Sequence, residues 1–168
     1  MKVKFENVPN MKLAGFKTRA SFDNASKVLP EFWKNCFSAN LEKLYSNGYK
    51  AKDAFEEFLI NSRVGSFGCS VSVNENEFDY LICGEVSNDK VPDNLSVADI
   101  PSGLYAKVTC TGAVPESITS ALNWIFKEYL PGNPEIEFRN APVLEYYPQG
   151  DCFDLAYQCE LWIPVTKK

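Results

Sequence analysis

Glu160 and Trp162 stand two residues apart in the segment CELWIPV. On a strand, residues of that spacing point to the same side. A carboxylate beside a large ring suits an organic cation or a flat apolar molecule. A charge pair at about 4 Å gains about 4 kcal/mol at an effective dielectric near 20, and a ring over the cation adds roughly 0.5–2 kcal/mol. Desolvation of both charges offsets part of this, so apolar burial must supply much of the affinity. The chain has no histidine. That excludes a Ser-His triad, a Cys-His dyad and every His-ligated metal site. Acid–base chemistry would have to come from carboxylates, Tyr, Lys or Cys. Glu160 as a general base with Tyr105 as proton donor would open a strained or electrophilic ligand by hydrolysis. Nothing in the letters separates a carboxylate that binds from one that activates water.

Other candidates take quieter roles. Glu85 lies near a strand end and is expected to be solvated. Glu145, beside Tyr146 and Tyr147 and near a turn, is expected to be peripheral. Tyr80, Phe32 and Trp33 are expected in the core. Trp124 has apolar neighbours that leave a core role and a groove-lining role both open. The six cysteines form no CxxC pair, and they read as reduced, buried small hydrophobes with no metal. No cofactor is expected.

The elements that must position these residues follow from periodicity. Val3 and Phe5 alternate with charged neighbours, which predicts a strand, and Leu13 to Arg19 a second. Val28, Leu29, Phe32, Trp33, Cys36, Phe37, Leu41, Leu44 and Tyr45 recur at helical spacing. Pro30 then has to lie in the first turn, and Asn47-Gly48 closes the helix. A short helix is expected over Lys52 to Leu59. Phe67 to Val73 and Phe78 to Val86 read as a hairpin. The order then repeats: strand Leu104 to Thr109, a helix opened by Pro115 with the stripe Ile118, Ala121, Leu122, Ile125, Phe126 and Tyr129, and strands Val143 to Tyr147 and Phe153 to Val165. FDYLICGE (Phe78 to Glu85) has a counterpart in FDLAYQCE (Phe153 to Glu160), which makes Glu85 the mate of Glu160. The expected fold is α+β, a duplicated βαββ unit over residues 1–168 with pseudo-repeats 1–91 and 97–168. Its curved antiparallel sheet has helices on one face and a groove on the other, floored where the halves meet. In the last strand, Phe153, Leu155, Tyr157, Cys159, Leu161 and Ile163 would face the helices, and Glu160 and Trp162 the groove.

The 168 residues carry a net charge of −5, 45% hydrophobic residues and 14% aromatic ones. An acidic chain without a basic cluster is a poor nucleic-acid binder. MKVKFENVPN has no apolar stretch of signal-peptide length, and no run long enough for a membrane helix follows, so a soluble cytoplasmic protein is expected.

These segments resemble the GyrI-like small-molecule-binding domain, which also serves as the effector-binding domain of AraC- and MerR-type multidrug regulators. The resemblance rests on SFGCSVSVNENEFDYLICGEV (Ser66 to Val86), IPSGLYAKVTCTG (Ile100 to Gly112), NWIFKEYLP (Asn123 to Pro131), VLEYYP and CELWIPV, and it spans nearly the whole chain. It implies a tandem βαββ fold and a lipophilic, often cationic ligand held against a central glutamate among aromatic rings. Glu160 takes the matching position, and Tyr105 and Trp124 match aromatics near it. The chain departs from the family after its first strand, with Ser21-Phe22 where Gly is common. No helix-turn-helix segment precedes the domain, so a stand-alone member is expected. Stand-alone members include gyrase inhibitors and hydrolases of cyclopropane-bearing toxins. Three functions therefore stand open: sequestering or sensing a lipophilic molecule, hydrolysing one, or binding a protein such as DNA gyrase.

Overall fold

A computed structural model describes residues 1–46, 48–86 and 90–168. The strands are β1 (Lys2–Val8), β2 (Met11–Ser21), β3 (Phe67–Ser72), β4 (Glu77–Glu85), β5 (Ser96–Ile100), β6 (Gly103–Thr111), β7 (Ile136–Phe138), β8 (Val143–Tyr146) and β9 (Gln158–Lys167). The helices are α1 (Ala25–Cys36), which runs through a π turn at Phe37–Leu41 into α2 (Glu42–Ser46), then α3 (Ala54–Asn61), and α4 (Glu116–Trp124), which ends in a π turn at Ile125–Tyr129. The fold is α+β, with antiparallel strand pairing in both of its compact units.

The first unit joins Met1–Asn10 to Pro101–Lys168, and the second is Met11–Ile100. In the first, the strand order is β1-β6-β9-β8 with β7 on β9; in the second it is β5-β2-β4-β3. Each therefore carries a strand-helix-strand-strand core, with two additional strands, β1 and β7, in the first unit and one, β5, in the second. In the first unit α4 packs on β6 and β9. Ile118, Ala121 and Ile125 of the helix meet Ala106, Val108, Cys110, Cys159, Leu161, Ile163 and Val165 of the strands. In the second, Cys36, Leu41 and Leu44 share a core with Ala14, Ala20, Phe78, Tyr80 and Ile82, and Phe32 and Trp33 pack against it. Trp33 also donates its indole N–H to the Tyr80 hydroxyl at 2.8 Å.

Three details depart from the pattern-based expectation. Pro30 sits beyond the first turn of α1, inside the helix. The last strand starts at Gln158, not Phe153. The reason is local: Asp151 accepts the Phe153 N–H at 3.0 Å and Asp154 accepts the Ala156 N–H at 2.8 Å. Such side-chain turns compete with a strand ladder. Phe153 and Leu155 are consequently 77% and 83% exposed rather than turned to the helix. The letter match between Glu85 and Glu160 also fails as a structural equivalence. Glu85 is the exposed last residue of β4, whereas Glu160 is the third residue of β9. Strands β5 and β7 had no clear periodic signal. Asn47, assigned to the end of the first helix, lies outside the described residues; its neighbour Gly48 adopts φ +66°, and the Tyr49 N–H reaches back to the Leu44 carbonyl at 2.8 Å.

Candidate functional site

Strand β9 sorts the candidates. Its odd residues Cys159, Leu161, Ile163 and Val165 join the core beneath α4, so Glu160 and Trp162 project from the other side of the sheet. Register places Thr109 and Tyr146 beside Glu160, and Lys107 and Leu144 beside Trp162. Trp162 donates its indole N–H to Glu160 at 2.6 Å, a charge-assisted bond. Tyr146 stacks on Trp162 with centroids 6.0 Å apart. The Lys107 ammonium lies 3.7 Å from the Trp162 ring centroid and 3.3 Å from the Glu6 carboxylate. Lys4 pairs with the same Glu6 oxygen at 3.4 Å. Glu6 is held below the usual carboxylate range by its hydrogen bond to Lys107 and by that charge. The face that carries Glu160 therefore already contains its own cation.

Tyr105 shares this parity and, like the 8%-exposed Trp162, is buried. It is 0% exposed, its hydroxyl donates to the Pro142 carbonyl at 3.0 Å, and the Arg139 guanidinium lies 5.2 Å from its ring. Trp124 packs against the core on the α4 side with Tyr129, their ring centroids 4.9 Å apart. The structure therefore brings Glu160 and Trp162 into contact, buries Tyr105, and puts Trp124 on the side of the sheet away from Glu160.

Glu145, read as peripheral, is 8% exposed. It stands opposite Leu161 on β9, and it alternates with Val143 and Tyr147, both packed on the core of that unit. It is thus on the helix-facing side. β8 lies one strand beyond the two on which α4 packs. The Tyr147 hydroxyl donates to the Glu145 carboxylate at 2.8 Å. Its charge also reaches the opposed pair Cys110 and Cys159; Cys110 is pushed well up by its hydrogen bond to Cys159, by burial and by these neighbouring charges. The sequence reading placed Glu145 at the periphery because it stands beside two tyrosines near a turn; the structure buries it. The available signal was the spacing Val143-Glu145-Tyr147, a polar residue on an otherwise apolar parity. All six cysteines are free thiols. Among the described residues, no group of three or more Cys, Asp or Glu side chains is placed to hold a metal ion, and no helix is long and apolar enough to cross a membrane.

Residues 4–165 match the family of integron-associated effector binding proteins. No curated protein matches the chain. Among solved structures, SAV2435 bound to tetraphenylphosphonium superposes with a TM-score of 0.76 at 20% identity, covering 99% of this chain and 94% of that one. A putative bacterial transcription regulation protein from Staphylococcus aureus gives 0.73 at 19% identity, with 99% of each chain covered. The integron cassette protein from the mobile metagenome of Vibrio cholerae gives 0.68 at 15%, covering 98% and 95%. Likenesses of this size establish a shared fold.

Proposed function

Since the chain belongs to the family of integron-associated effector binding proteins, we propose that it binds a lipophilic organic cation and that Glu145 supplies the counter-charge. The observation that carries this reading is the burial of the Glu145 carboxylate on the apolar, helix-facing side. Burying one charge costs several kcal/mol even after relaxation, and hydrogen bonds such as that from the Tyr147 hydroxyl return roughly 1.5–3 kcal/mol each. A cation whose charge is spread under aromatic groups loses little hydration on entering such a place. It brings an opposite charge and apolar surface together. Tetraphenylphosphonium, the molecule bound to the structural relative SAV2435, has that chemistry and is the probe of choice.

A second reading keeps the cation on Trp162 beside Glu160. One observation favours it: the ring already accepts the Lys107 ammonium at 3.7 Å. A ligand there would have to displace Lys107 from both the ring and Glu6. Hydrolysis through Glu160 and Tyr105 gains no support, because the Tyr105 hydroxyl is buried and bonded to Pro142.

Calorimetric titration with tetraphenylphosphonium tests both. Under the first reading Glu145→Gln weakens binding about thirtyfold, roughly 2 kcal/mol, while Glu160→Gln stays within about twofold. The reverse ranking transfers the site to Glu160. Equal affinity in both variants and the parent chain sinks both readings.

A further inference from the structure

The second unit holds an open surface cavity of about 640 Å³ whose rim residues Ala54, Glu57, Asn61, Lys90 and Asn94 are exposed to solvent. One wall is a stripe of α3. Ala54, Glu57, Phe58 and Asn61 recur at helical spacing, so they share one side of that helix, and all four line the cavity. Phe55 extends the same wall, and Lys90, Pro92 and Asn94 form the other. The helical wall is set in advance. Asp53 caps α3 by accepting the Glu56 N–H at 2.8 Å. Phe58 is buried in the core of the unit. Phe55 packs edge-on against Phe16 with centroids 6.4 Å apart. The first unit has no helix between α4 and its final strand pair, only β7, so this cavity arises from an element that the duplication does not share.

The lining is chemically divided. Phe55 and Pro92, both half-buried, offer a surface for a flat ring. Glu57 and Lys90 offer opposite charges at that surface, and Asn61 and Asn94 offer neutral hydrogen-bonding groups. A purely cationic ligand would meet Lys90 as a like charge, and a purely anionic one would meet Glu57. A molecule with an aromatic body and both an ammonium and a carboxylate satisfies both. We infer that this cavity is a second small-molecule site, separate from Glu145, that takes zwitterionic aromatic compounds of the aromatic amino-acid class.

Saturation-transfer NMR on the full chain tests this with three indoles: L-tryptophan (both charges), tryptamine (the cation alone) and indole-3-acetate (the anion alone). L-Tryptophan is expected to bind saturably and about tenfold more tightly than either of the others. Glu57→Gln removes its advantage over indole-3-acetate, and Lys90→Met removes its advantage over tryptamine. Ala54→Trp fills the cavity from an exposed position and abolishes binding of all three. Tetraphenylphosphonium titration of the same variants stays unchanged, so this site and the Glu145 reading fail or stand separately. Tryptophan binding no tighter than that of its singly charged analogues, or binding that survives Ala54→Trp, overturns the inference.

Discussion

Two glutamates of the first unit make nearly the same local arrangement. Glu160 accepts from Trp162 at 2.6 Å, and Glu145 accepts from Tyr147 at 2.8 Å. Each donor is an aromatic side chain two residues onward, on the same parity. The difference lies around them. Glu160 shares its side of the sheet with Lys107, and register brings Lys2 and Lys4 onto the same parity through β1. Glu145 stands opposite Leu161 and between Val143 and Tyr147. The comparison teaches that a hydrogen bond to a carboxylate does not define a cation site. What matters is which side of the sheet the carboxylate occupies and how apolar its surroundings are.

The contrast can be broken at several points, the largest first. Leu161→Ala removes the fully buried residue opposite Glu145 and is expected to cost about 2–5 kcal/mol in urea unfolding. A cost under about 1 kcal/mol would mean that the Glu145 side is not closely packed. Tyr147→Phe strips a donor from a buried carboxylate and is expected to cost about 1–3 kcal/mol. Glu160→Gln, which can still accept from Trp162, should cost less than about 1 kcal/mol by the same assay; equal costs would erase the distinction between the two sides. Lys107→Met keeps much of the stem packing but loses the ammonium over the ring, worth roughly 0.5–2 kcal/mol. Trp162 fluorescence should shift along with that loss.

The smallest effect is in acid. Glu6 has a lowered folded-state value because of Lys107. Its contribution is therefore fully present above the ordinary carboxylate range, about pH 4.3, and is lost as pH falls through the lower folded value. The stability gap between the parent chain and Lys107→Met should be constant near neutrality and narrow below about pH 4.3. A gap that widens in acid would contradict the Glu6–Lys107 pairing.

Much of the scaffold could be read from periodicity, and less of the site. The α4 stripe through Ile118, Ala121 and Ile125 and the inward set Cys159, Leu161 and Ile163 were legible, because each pattern extends over several consecutive turns or pleats. The same alternation read too far back, through Phe153 and Leu155, because two aspartates there divert backbone N–H groups into turns. Ser96–Ile100 was missed since its alternation is short and mixed with polar residues. Tyr105 was placed on the correct kind of element, but its hydroxyl partner is a carbonyl 37 residues away, a pairing that no local pattern encodes. Glu145 needed the register with Leu161 before its surroundings could be known.

The chain path has a consequence for synthesis. Strand β1 pairs with β6, so Phe5 waits for Ala106, whereas every strand of the second unit lies within the continuous stretch Met11–Ile100. On a ribosome adding about 5–20 residues per second, the middle of the polypeptide can settle while its leading segment is still a lone ribbon. The unit that contains Glu145 closes last, and only once the carboxyl-terminal strand has emerged.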